Sequence, residues 1–130
     1  MLVRAGVRLV PSGGGVFPGL TVRENLELGA WCRPKRRMTI RDRARVYSFL
    51  PCLEKVESRL VSLLNPGGCQ LLVIGRVVMA RPKLLLLDEP TRGLSPVQVR
   101  QLFAVLERLA AEGVAVLLAE CHPDTALGVG

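Results

Sequence analysis

Lys83-Leu84-Leu85-Leu86-Leu87-Asp88-Glu89-Pro90 sets four consecutive leucines directly before two carboxylates and a proline. An unbroken apolar run of strand length predicts a strand covered on both faces, the parallel-sheet situation, and Pro90 ends it. Asp88 and Glu89 then sit at a strand's carboxyl end. In an open α/β sheet the loops diverge at that edge and leave a crevice for ligands. A carboxylate leaving the strand can hold a divalent cation, and its neighbour can orient or deprotonate a water attacking a phosphoryl group. The stretch also reads as a buried strand whose terminal acids are only solvated.

On the carboxyl side, Ser95 is placed to cap a helix with Pro96 at its first position and Gly113 just past its end. Val99, Leu102, Phe103, Leu106, Leu109 and Ala110 form its apolar face, and Val114 to Ala119 follows as a buried strand. On the amino side, Leu71 to Pro82 reads as a helix. Further back, Val7 to Val10 is a strand candidate ended by Pro11 and the run Ser12-Gly13-Gly14-Gly15. A phosphate-cradling loop needs GxxxxGK[ST]; here Val16 and Phe17 follow the glycines, and no other stretch supplies the pattern. Thr21 and Glu24 have capping-box spacing, which predicts a helix from Thr21 to about Cys32. Thr39 to Leu53 reads as another, with Val46, Phe49, Leu50 and Leu53 on one face as core or docking surface.

At 130 residues the chain is one domain at most, and 49% hydrophobic content with a mean hydropathy of +0.33 argues for a core-forming chain. No apolar run approaches bilayer length and no signal-peptide pattern opens the sequence, so the expected compartment is the cytosol. Cys32, Cys52, Cys69 and Cys121 form no CxxC pair and read as ordinary reduced thiols. Much of the net charge of +7 comes from Arg33, Lys35, Arg36, Arg37, Arg41, Arg43 and Arg45. That cluster reads first as a solvated face, then as a contact to a partner or to lipid headgroups. With aromatics at only 4%, stacking platforms for nucleic acid are not evident, and that reading ranks last.

Leu84 to Pro90 is similar to the Walker B motif of P-loop ATPases, and Thr91-Arg92-Gly93-Leu94-Ser95-Pro96 resembles the D-loop of ATP-binding cassette (ABC) domains. Phe17-Pro18-Gly19-Leu20-Thr21-Val22-Arg23-Glu24-Asn25-Leu26 closely resembles the segment after the Q-loop in ATP-binding subunits of branched-chain amino acid importers. Ser12 stands where the family has the Q-loop glutamine. The family's signature, LSGGEQQ, aligns with Leu64-Asn65-Pro66-Gly67-Gly68-Cys69-Gln70, of which Gly67 and Gln70 match in register. Asn65 can offer an amide donor there, while Pro66 has no backbone N–H. At the switch position stands Cys121, with His122 one residue later, where it reads as a surface histidine.

The resemblance runs from about Val7 to Leu127 and implies an incomplete P-loop NTPase domain of the ABC type: an α/β fold with a three-stranded parallel sheet core and a helical subdomain at about 21–66, followed by a Walker B to switch region at 71–127. It places the Val7 strand and the Val114 strand on either side of the Walker B strand, with the first part of the family domain, Walker A included, absent. It implies ATP and magnesium as cofactors, Asp88 as the metal ligand, Glu89 as the residue polarising water, and Asn65, Gly67, Gly93 and Ser95 at the nucleotide and dimer interface. The implied partners are transmembrane permease subunits and a second ATP-binding subunit, with the protein peripheral to the inner face of the cell membrane. The reaction would be ATP hydrolysis driving solute uptake. Against it stands a non-catalytic remnant that at most docks on a partner, and last a small basic nucleic-acid binder.

Overall fold

The computed structural model describes residues 6–10, 15–30 and 40–119. Strand β1 (Val7–Val10) is followed by helix α1 (Val22–Ala30), α2 (Ile40–Phe49), the single turn α3 (Pro51–Glu54), a 3-10 turn (Val61–Leu63) and α4 (Pro66–Ala80). Strand β2 (Leu84–Asp88), α5 (Pro96–Ala111) and β3 (Ala115–Ala119) complete the order. The strands form one parallel sheet in the order β1-β2-β3, so the leucine run is central, as expected. The register aligns Leu9 with Leu86 and Leu86 with Leu117 across it.

Where helices begin, the local chemistry matches the sequence. At α1, Thr21 Oγ1 accepts from Glu24 N (3.1 Å) while Glu24 Oε1 accepts from Thr21 N (2.9 Å), a closed capping box. At α5, Ser95 Oγ accepts from Gln98 N (3.2 Å) and Gln98 Oε1 from Ser95 N (3.0 Å). The expected extension of α1 to Cys32 and the proposed cap at Thr39 lie outside the described residues.

Four expectations are corrected. The helix read as Thr39 to Leu53 is two, because Pro51 lacks an N–H and pushes Leu50 out of helical conformation (φ −134°, ψ 77°); Leu50 and Leu53 are buried all the same. The helix read from Leu71 to Pro82 starts at Pro66, whose missing N–H is harmless at the first position, and stops at Ala80 before a left-handed Arg81 (φ 50°). On α5, Val105 is buried and Ala110 exposed, because the core-facing stripe is centred one position away from the one read. Finally, neither β2 nor β3 is covered on both faces among the described residues. Leu85 and Leu87 are buried, Leu84 and Leu86 only half so, and Leu117 on β3 is 60% exposed, because the helices pack on one side of the sheet.

The core lies between that covered side and α4, whose buried residues include Leu71, Leu72, Ile74 and Met79. Helix α1 lies close against α4 at Gly29, where a Cβ would meet Arg76 O at 2.5 Å and Met79 Cβ at 2.9 Å. Phe49, at the end of α2, has two guanidinium groups over its ring, Arg45 (4.9 Å to the ring centre) and Arg108 of α5 (3.7 Å). Arg45 also pairs with Glu112, and Arg108 Nη1 donates to Ser48 O at 3.0 Å. Arg45 is thus a structural member of the basic cluster rather than part of a solvated face, while Arg33, Lys35, Arg36 and Arg37 lie outside the described residues.

Candidate functional site

Strand β2 delivers Asp88, exposed, to the carboxyl edge of the sheet, and the chain turns sharply there. Glu89 takes a left-handed conformation (φ 47°), uncommon for any residue with a Cβ, and its N–H donates to Ala119 O at 2.7 Å. That bond continues the β2–β3 ladder by one step, so the two acids stand directly beside the end of β3. The Glu89 carboxylate meets Arg92 Nη1 at 3.5 Å, and the turn is closed by Arg92 N to Glu89 O (3.2 Å) and Leu94 N to Thr91 O (3.0 Å). Gly93 supplies a further left-handed position (φ 80°) that leads into the Ser95 cap. Asp88, Glu89, Gly93 and Ser95 therefore occupy one turn between β2 and α5.

Asn65 and Gly67 sit at the start of α4. Asn65 Oδ1 accepts from Gly68 N at 2.7 Å, so its side-chain oxygen caps the helix and its amide nitrogen is the group left to donate. A Cβ at Gly67 would overlap the side chain of Gln98. Gln98 thus bridges the two halves of the site, bonding Ser95 on one side and filling the space at Gly67 on the other. The sequence reading assigned it nothing; the signal was its spacing of three from Ser95, the same capping-box pattern read at Thr21 and Glu24.

Asn25, also unremarked in the sequence, organises the loop before α1. Fully buried, it accepts from Phe17 N (2.8 Å) and donates to Phe17 O (3.1 Å) and Thr21 O (2.9 Å). Arg76 of α4 donates to Gly15 O and lies over the Phe17 ring at 5.5 Å. Half of Phe17 nonetheless faces solvent, with Leu60 and Leu63 exposed at the 3-10 turn, where Val61 N donates to Leu20 O and Ser62 N to Pro18 O. Ser12, Cys121 and His122 lie outside the described residues.

A cavity of about 370 Å³ opens where α3, the 3-10 turn and the starts of α4 and α5 meet. Arg59, Asn65, Gln98 and Gln101 line it among leucines and Val56, whereas Asp88 and Glu89 do not. Cys52 also lines it, and burial raises its thiol pKa, as it does that of Cys69; neither is a ready thiolate.

The donor set decides what these residues can hold. Among the described residues no cluster of three or more His, Cys, Asp or Glu side chains could by itself enclose a metal ion. Magnesium is commonly held by one or two carboxylates with phosphate oxygens and waters completing the octahedron, which suits Asp88 and Glu89 only if phosphates are supplied. With no GxxxxGK[ST] in the sequence, the phosphate cradle is not among this chain's residues, and they do not fit ATP by themselves.

Comparison with known proteins agrees with this geometry. A family profile described as ABC transporter matches residues 2–92. The high-affinity branched-chain amino acid transport ATP-binding protein BraG of Pseudomonas aeruginosa is 38% identical over 126 residues, covering 97% of this chain and 54% of that protein. The ribose import ATP-binding protein RbsA 1 of Rubrobacter xylanophilus is 33% identical over 133 residues, covering 98% of this chain and 26% of the relative. A solved ATP-binding cassette of an ABC transporter superposes with a TM-score of 0.80 at 25% identity, over 98% of this chain and 56% of that one. The chain therefore spans about half the length, or less, of the proteins it matches, and its sheet with flanking helices is part of a P-loop NTPase fold of the ABC type.

Proposed function

The chain belongs to the ABC transporter family, and we propose that it forms the Walker B and helical part of the ATP-binding subunit of an importer for branched-chain amino acids. The observation that carries this reading is the turn after β2, where two carboxylates leave the central strand and run through Gly93 into a capped helix. In this role Asp88 would hold magnesium through its carboxylate, with phosphate oxygens from a nucleotide completing the coordination. Glu89 orients the attacking water, and its pairing with Arg92 fixes where the carboxylate waits. Asn65 and Gly67 at the start of α4, and Gly93 and Ser95 before α5, face a second ATP-binding subunit. ATP bound between the subunits supplies the free energy for uptake.

Solute class is supported by the 38% identity to BraG and by the Phe17 to Leu26 phrase. The ribose importer relative at 33% is the competing assignment. The exposed Phe17, Leu60 and Leu63 offer a permease an apolar seat, and no described helix is long and apolar enough to cross a membrane. That arrangement supports a place at the inner face of the membrane, held there by the permease. Co-expression of the chain with permease subunits of a branched-chain importer and, separately, of a ribose importer tests the assignment. Co-purification with the first and not the second is expected; the reverse would overturn the solute class.

A non-catalytic docking role is favoured by one specific observation, the lack of GxxxxGK[ST] in a chain that keeps the apolar seat. It predicts the same permease binding with no phosphate release.

A further inference from the structure

The cavity of about 370 Å³ between α3, the 3-10 turn and the starts of α4 and α5 falls within the span of about 300–1,000 Å³ that small-molecule sites occupy. Its walls are of two kinds. Leu53, Val56, Leu64 and Leu71 make an aliphatic side. Leu53 and Leu71 are each 2% exposed and belong to the core, and Val56 and Leu64 pack against it, so that side is held in place by the packing behind it. Among the described residues no aromatic ring lines the cavity, so a flat ligand finds nothing to stack on, whereas a short aliphatic chain meets methyl groups.

The other side offers donors. Arg59 N donates to Val56 O at 2.9 Å and Arg59 O accepts from Val22 N at 3.0 Å, which fixes the backbone on which the guanidinium stands. That guanidinium has no ion-pair partner among the described residues. Asn65 spends its side-chain oxygen on Gly68 N and Gln98 its own on Ser95 N, so each keeps its amide nitrogen to give. Gln101 adds a further amide. No carboxylate lines the cavity among the described residues. Of the acids nearest in sequence, Glu54 and Glu57 are both outside its walls, and Glu57 is taken by the Tyr47 hydroxyl at 2.7 Å. One cation and several N–H donors without an acid beside them suit an anion, and a carboxylate above all.

We propose that this cavity binds a small aliphatic monocarboxylate, its chain against Leu53, Val56, Leu64 and Leu71 and its carboxylate against Arg59 and the amide nitrogens of Asn65 and Gln98, and that it rejects the corresponding α-amino acid. Rejection follows from the same walls. An α-ammonium group carried in beside the carboxylate would lose its water next to the Arg59 cation and find no acid to pair with, and a charge buried without a partner is costly. The inference stands on the walls of the cavity and not on the transport reading.

The test titrates the full chain with 4-methylpentanoate and follows the amide resonances of Asn65, Gly68 and Leu71 together with the alkylation rate of Cys52, whose thiol lines the cavity. Saturable shifts are expected, with alkylation slowed more at Cys52 than at Cys69, which does not line it. Leucine has the same skeleton with an added ammonium, 4-methylpentan-1-ol lacks the charge, and acetate and inorganic phosphate lack the chain; each should bind about tenfold more weakly or worse. Arg59→Gln should weaken the acid about tenfold and leave the alcohol unchanged, while Val56→Phe, which fills the cavity, should weaken both. Arg59 is exposed, so Arg59→Gln keeps the fold even if Val56→Phe does not. No saturable shift, an affinity indifferent to Arg59→Gln, or leucine, acetate or phosphate binding as tightly as 4-methylpentanoate would each overturn the proposal. A chain that binds the acid and no permease would remove the importer reading and leave the cavity's role standing.

Discussion

Gly29→Ala is the sharpest probe of the packing that holds the helical part of the chain to its core. The added methyl would lie 2.5 Å from the Arg76 carbonyl oxygen and 2.9 Å from Met79 Cβ. Favourable contact needs about 3.5 Å or more, so α1 and α4 must separate by roughly 0.5–1 Å along their contact. The obstacle includes a helix carbonyl, which cannot rotate aside as a side chain would. Alanine in place of glycine favours the helix by about 0.5–1 kcal/mol, and overpacking of this kind costs about 1–3 kcal/mol. The net expectation is a loss of about 0.5–2 kcal/mol, read as a fall of about 0.3–1 M in the urea midpoint. Gly75→Ala is the internal comparison: its new methyl meets the tips of Leu26 and Leu53 side chains at 3.0 Å, which can shift, so its cost should be smaller. Gly19→Ala has nothing within 4 Å and should leave the midpoint nearly unchanged. A Gly29→Ala chain as stable as the parent, or a Gly75→Ala chain less stable than it, would refute the close approach of α1 to α4 at Gly29.

Asn25→Ala should destabilise the chain by about 2–3 kcal/mol, since it strips the partners from Phe17 N–H and C=O in a partly buried loop; limited proteolysis should find new cleavage near Phe17. The Glu24 carboxyl is held below its ordinary value of 4.5, first by the Thr21 N–H and then by the Thr21 hydroxyl. Its stabilisation is therefore complete above that value and lost as pH falls through the lower folded one; thermal melts on either side of pH 4.5 should show this, and Glu24→Gln should flatten the dependence. Magnesium-dependent phosphate release from ATP by this chain alone should equal that of its Glu89→Gln variant, because positioning and charge neutralisation of the phosphates carry most of the catalysis. Turnover abolished by Glu89→Gln would mean that other groups here hold the phosphates.

The fold was legible wherever one local cause settles an element. Four leucines ended by Pro90 make a strand almost regardless of context, and the capping box at Thr21 and the Ser95 cap followed by Pro96 set two helix starts. Pro51 carried the same kind of information, but the apolar spacing of Val46, Phe49, Leu50 and Leu53 hides it. One stripe can run across a helix break when the second piece resumes near the same phase. Coverage of the sheet was illegible for a different reason. A run of leucines records that a surface is apolar, and it says nothing about whether the element that covers it belongs to the residues in view.

The candidate site divides along the same line. Asp88, Glu89, Gly93 and Ser95 are contiguous in the sequence, so one strand end and one turn suffice to bring them together. Gly67 and Ser95 come from distant segments, and what joins them is Gln98, whose amide serves a helix cap and fills the space beside a residue without a side chain. No motif marks such a bridge, because its chemistry is that of an ordinary cap. The consequence is structural as well as functional: a larger residue at 67 would press on Gln98 and, through it, on the Ser95 cap. The start of α4 and the turn carrying Asp88 and Glu89 therefore meet through one side chain, and Gly67→Ala should be felt first as a weakened Ser95 cap.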